Sequence, residues 1–80
     1  MGTSVEEVHQ VAKKILGHLL EKQLHASEVQ KLTVHDSASI AQTMTVFYWL
    51  RNRGYIQKTG CGYRDPYEIT DKGRAFYDAI

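Results

Sequence analysis

The chain has 80 residues, 42% of them hydrophobic, with five tyrosines, two phenylalanines and one tryptophan and a net charge of +1. That is enough for one domain with one small core, too short for a separate catalytic domain, and too apolar for a disordered chain. No apolar run approaches the roughly 20 residues of a membrane span, the start lacks the pattern of a signal peptide, and a single cysteine, Cys61, leaves no internal disulfide.

Residues 1–4 read as a flexible terminus or an appended remnant, and residues 5–80 as a single domain. Val5, Val8, Ala12, Ile15 and Leu19 recur at helical spacing, which predicts a first helix over residues 4–22. Ser4 with Glu7, or Thr3 with Glu6, forms a capping box at its start. Val5, Ile15 and Leu19 are expected in the core. Leu16 and Leu20 widen the stripe and offer a second face on which a copy of the chain could pair; without that pairing the domain is expected to be a monomer. Gly17 costs such a helix about 1 kcal/mol relative to Ala, so another element is expected to pack closely there.

Leu24 suits a short extended bridge, and Ser27 is placed to cap a brief helix through Leu32 that buries Val29 and Leu32. Residues 32–37 read as a turn, with Asp36 or Ser37 capping a third helix to about Arg53. Ile40, Thr43, Val46, Phe47 and Leu50 share one face of it. Ala38, Ala41, Gln42, Thr45, Trp49 and Asn52 occupy the other, with Tyr48 at the edge. Gly54 sits where a helix ends on a left-handed residue. Residues 55–59 and 67–70 are predicted strands, separated by the breakers Gly60-Cys61-Gly62 and Asp65-Pro66. Thr70 caps a last helix whose Ala75, Phe76 and Ala79 are expected to close the core.

A helix, a short helix, a turn, a longer helix and a two-stranded hairpin, in that order, resemble the winged helix-turn-helix superfamily, an α+β fold. The phrases Leu50-Arg51-Asn52-Arg53-Gly54-Tyr55-Ile56 and Tyr67-Glu68-Ile69-Thr70-Asp71-Lys72-Gly73-Arg74 are most similar to those of PadR-like and MarR-like transcriptional regulators. The resemblance implies duplex DNA binding in transcriptional or replication control, inside the cell, in the cytoplasm and nucleoid or the nucleus. It also implies that the third helix enters the major groove and the hairpin, the wing, lies on the flanking backbone. The residues so placed on the helix are Ser37, Ala38, Ser39, Ala41, Gln42 and Thr45. Gln42 suits an adenine edge, Thr45 offers a hydroxyl or a methyl, and the helix start with Ser37 and Ser39 suits a phosphate. No Arg or Lys precedes Arg51 on that helix, so the commonest contact to guanine is missing.

Charge is unevenly spread. Residues 1–50 carry four Lys/Arg against five Asp/Glu, whereas residues 51–74 carry six against three. On the hairpin Lys58, Tyr63 and Arg64 are candidates for the DNA backbone, with Lys72 and Arg74 beyond it. Asp65 is placed to neutralise Arg64, and Glu68 or Asp71 to pair with Lys72 or Arg74. Tyr48 and Trp49 suggest a second reading, a module that docks a protein through these two residues and the wing, because two adjacent aromatics cannot both enter a small core from one helix.

Enzymatic chemistry finds little footing. His9, His18, His25 and His35 lack the spacing of a helical metal pair, and no histidine stands near Cys61 in sequence to activate it. No metal, cofactor or catalytic group is expected, and no membrane partner.

Overall fold

The computed structural model describes residues 5–35, 39–62 and 64–80. Its elements in chain order are α1 (Val5–Glu21), α2 (Ala26–His35), α3 (Ile40–Asn52), β1 (Ile56–Lys58), β2 (Tyr67–Ile69) and α4 (Asp71–Ala79), the expected α+β order. Every strand is shorter than its sequence pattern suggests. The capping pairs proposed at residues 3 and 4 lie outside the described residues.

Along α1 the buried residues are Val11, Ala12, Ile15, Leu16 and Leu19. Leu16 is therefore core and not part of a second face, while Val5, expected inside, is 71% exposed. The cause is that α1 touches α2, α3, α4 and β2 along its middle and second half, so its first turn projects past the core. Beside Gly17 the neighbour is Tyr77 of α4, whose Cε2 would stand 3.7 Å from an added Cβ.

α2 starts one residue before the expected cap. The His25 N–H donates to the Glu28 carboxylate at 3.1 Å, so Ser27 lies inside the helix and caps nothing. The helix continues through His35, which replaces the predicted turn over residues 32–35. Val29 points inward, and the residue one turn on is Thr33, which is fully buried; Leu32 falls to the edge and is 39% exposed.

α3 is capped by Ser39, whose Oγ accepts the Gln42 N–H at 3.1 Å. That overturns the assignment of the cap to Asp36 or Ser37, which lie outside the described residues. Thr43, Val46, Phe47 and Leu50 are buried as expected, but Ile40, in the first turn, is exposed. At the other end Gly54 has φ +80°, the Gly54 N–H donates to the Arg51 carbonyl at 3.1 Å, and the Tyr55 N–H donates to the Leu50 carbonyl at 3.0 Å. This pair of bonds is the Schellman motif, and it turns the chain into β1.

β1 and β2 are antiparallel, pairing Ile56 with Ile69, Gln57 with Glu68 and Lys58 with Tyr67. Ile56, Tyr67 and Ile69 face the core, while Gln57 and Glu68 hydrogen-bond to each other on the outer side at 3.0 Å. Leu24 forms the expected bridge. Its N–H donates to the Tyr67 carbonyl at 3.1 Å and its carbonyl accepts the Tyr67 N–H at 2.7 Å, which ties the start of α2 to the hairpin.

Thr70 caps α4 by accepting the Gly73 N–H at 3.0 Å, and its hydroxyl donates to the Gly54 carbonyl at 2.7 Å. Gly73 is buried at the closest approach between elements: an added Cβ would meet the Tyr55 carbonyl oxygen and stand 2.8 Å from Ile69 Cγ1. That contact sets the rotation of α4. Its inner residues are Gly73, Phe76, Tyr77 and Ile80, and Ala75 and Ala79, expected in the core, are exposed.

Candidate nucleic-acid interface

The exposed residues of α3 include Ala41, Thr45, Tyr48 and Asn52, spaced by four, three and four, which puts them in one stripe along the helix. Gln42 lies half-buried beside it, with its backbone N–H held by Ser39. Thr45 Oγ1 donates to the Ala41 carbonyl at 2.9 Å, so its methyl is the part left for an outside contact. Ser39 is exposed, and its oxygen serves as the cap. Ser37, Ala38 and Tyr63 lie outside the described residues.

On the hairpin, Lys58 and Arg64 are both exposed. Lys58 Nζ stands 5.9 Å from the centre of the Tyr67 ring, and Arg64 has no hydrogen-bond or ion-pair partner among the described residues. Asp65 is a turn former instead of a counter-ion to Arg64. Its carboxylate accepts the Gly62 N–H at 2.8 Å, and it crowds the tip so that an added Cβ on Gly62 would stand 2.9 Å from its Oδ2. Below the tip the Pro66 carbonyl accepts both the Thr59 N–H, at 2.9 Å, and the Thr59 hydroxyl, at 3.1 Å.

Between the start of α2 and the hairpin runs a groove of about 540 Å³. It is lined by His25 and Ser27 at the start of α2, by Lys58, Arg64 and Tyr67 of the hairpin, and by Tyr48 of α3. The exposed stripe of α3 and the basic hairpin therefore share one face of the molecule. The Leu24–Tyr67 bridge creates this arrangement by holding the two walls together.

Among solved structures, a transcriptional regulator from Clostridium thermocellum is similar over 98% of this chain and 84% of its own, with a TM-score of 0.71 and 21% identity. The fold is a winged helix. No protein-family model matches the chain, and neither does any curated protein. At this identity the likeness to the solved regulator carries the architecture, with α3 as the third helix and residues 56–69 as the wing.

Other sequence candidates lie away from the shared face. Lys72 Nζ donates to the Arg53 carbonyl at 2.9 Å and stands 5.2 Å from the centre of the Tyr55 ring, so it is engaged at the turn from α3 into β1. Arg74 pairs with Asp71 at 3.6 Å on the surface, where such a pair is worth little. Trp49 and Tyr48 are divided. Trp49 is half-buried, 5.8 Å from both the Tyr55 and Phe76 rings and with Arg53 over its face at 5.3 Å, whereas Tyr48 is 48% exposed. Sequence reasoning missed His25 and Ser27 as groove residues, because only the bridge at Leu24 brings them to the wing. Tyr48 was legible on the stripe from its spacing to Ala41 and Thr45. Among the described residues no cluster of His, Cys, Asp or Glu is placed to hold a metal ion, and no helix is long and apolar enough to cross a membrane.

Proposed function

We propose that the protein is a duplex DNA-binding winged helix acting in transcriptional or replication control, with α3 in the major groove and the wing on the flanking backbone. The observation that carries this reading is the shared face: one groove is lined by Tyr48 of the exposed α3 stripe and by Lys58 and Arg64 of the wing. A helix fits the major groove of B-DNA, and long basic side chains beside it reach phosphates. Ala41, Gln42 and Thr45 are the base-reading residues: Gln42 through its carboxamide, Thr45 through its methyl against a thymine, Ala41 by allowing close approach. Ser39 at the helix start meets a phosphate, as would Ser37 ahead of it, and Lys58, Arg64 and Tyr63 hold the backbone. The near-neutral total charge is compatible with this, because association follows the local potential of the face. The similarity to a solved transcriptional regulator supports the same reading.

The docking alternative through Tyr48 and Trp49 draws less support, since the two rings do not form one exposed anchor. An amide chemical-shift titration with a mixed-sequence duplex tests the choice. Shifts confined to residues 25–27, 39–52 and 57–66, lost as salt rises, are expected. A titration that moves none of these amides at low salt rejects the DNA reading.

A further inference from the structure

Among the described residues, Tyr48 alone of α3 both belongs to the exposed stripe and lines the groove beside the wing. The body of its ring rests edge-on against Phe47, with the ring centres 5.9 Å apart, while its hydroxyl has no hydrogen-bond partner among the described residues. The same groove is lined by Lys58 and Arg64, which carry an ammonium and a guanidinium, and by Ser27 at the start of α2. One carboxylate, that of Asp65, shares the lining, and it is turned into the wing tip by its bond to the Gly62 N–H. The groove therefore presents donors and an excess of positive charge. A phosphodiester has only acceptor oxygens and one negative charge, so it is complementary to such a lining, and it accepts from phenol, ammonium and guanidinium alike.

We propose that this groove seats one backbone phosphate of the duplex and that Tyr48 is the hydroxyl donor that positions it, which makes Tyr48 a further DNA contact. The inference rests on the duplex-binding reading above. A phosphate held here, between the start of α2 and the wing, fixes the rotation of α3 relative to the backbone. It thereby sets where Gln42 and Thr45 meet the base edges.

Binding of a labelled mixed-sequence duplex to the full chain, followed by anisotropy over a range of salt, tests the assignment with two variants. Tyr48→Phe keeps the ring against Phe47 and removes only the hydroxyl. It should weaken binding to all duplexes by about tenfold, the weight of one charge-assisted hydrogen bond, without changing the salt slope, because no charge is lost. Ser27→Glu puts a carboxylate in the groove lining at a helix start, where the dipole tolerates it, so it should melt like the wild type and also bind about tenfold more weakly. Tyr48→Phe binding as tightly as the wild type, while Arg64→Ala is weakened, overturns the assignment of Tyr48 and leaves the duplex reading standing. Ser27→Glu at full affinity shows that the groove stays empty in the complex and overturns it equally. Absence of duplex binding by the wild type removes the reading on which the inference rests. Inorganic phosphate alone, at millimolar concentration and fixed ionic strength, should leave the Ser27 and Tyr48 amides unmoved; shifts with phosphate alone would reassign the groove to a small anion and overturn the proposal.

Discussion

Gly54 and Gly73 are both glycines for reasons of backbone, and the two reasons differ. Gly54 has φ +80° with open space around it, so a side chain there meets conformational strain and no clash. Gly73 has ordinary helical geometry, but an added Cβ would run into the Tyr55 carbonyl and Ile69. Gly54→Val should cost about 1 kcal/mol or more through strain, and Gly73→Ala roughly 1–3 kcal/mol through overpacking, as read from urea midpoints. A Gly73→Ala domain as stable as the wild type would show that α4 can shift off the β1 entrance without loss. Thr43 poses the opposite case. Its hydroxyl is fully buried without a hydrogen-bond partner among the described residues, and an unsatisfied buried donor is a liability of about 1–3 kcal/mol. Thr43→Val keeps the shape and should raise the melting temperature or leave it unchanged; a drop would mean that the hydroxyl has a partner in solution.

At the level of elements, caps and one bridge decide where each helix begins and what it touches. Ser39 defines the start of α3, and its loss leaves the Gln42 N–H unpaired. Ser39→Ala should cost about 1 kcal/mol in stability. Amide exchange should quicken first at residues 40–43, because that turn frays when its cap is gone. Uniform exchange along α3 would locate the effect elsewhere. The hairpin depends on Leu24 in a similar way, since Leu24 contributes both hydrogen bonds to Tyr67 and a fully buried side chain.

For the whole molecule the question is how the shared face and the rest of the surface act together. Wing contacts should supply affinity for any duplex, and the α3 stripe should supply preference among sites. Arg64→Ala should therefore weaken binding to all duplexes alike and lower the salt slope by about one unit, while Gln42→Ala should cost roughly 1–3 kcal/mol on the preferred site only. If both variants bind as the wild type does, the face is not the DNA surface. Self-association has little to work with along α1. Leu16 is buried, and the exposed Val5 and Leu20 stand at opposite ends of the helix, about 22 Å apart at 1.5 Å per residue. The isolated domain should sediment as a monomer; a dimer mass independent of concentration would show a surface that these residues do not account for.

What the sequence alone determined is local. The glycine stop at Gly54, the Thr70 cap, the extended bridge at Leu24 and the breakers Gly60-Cys61-Gly62 and Asp65-Pro66 each rest on the conformational preference of a few residues, and the structure bears each of them out. Element order followed, and with it the winged helix. What only the tertiary structure decided is rotation and meeting. A periodic pattern states which residues share a face of a helix, but it leaves the absolute angle free within a turn. Packing chose that angle: α1 was turned to bury Leu16, α4 was set by the approach at Gly73, and α3 sent Tyr48 outward and Trp49 under Phe76. The groove belongs to the same class. Its walls come from segments distant in the chain, joined by the backbone pairing of Leu24 with Tyr67, and no local preference at His25, Ser27 or Arg64 encodes that they will line one groove.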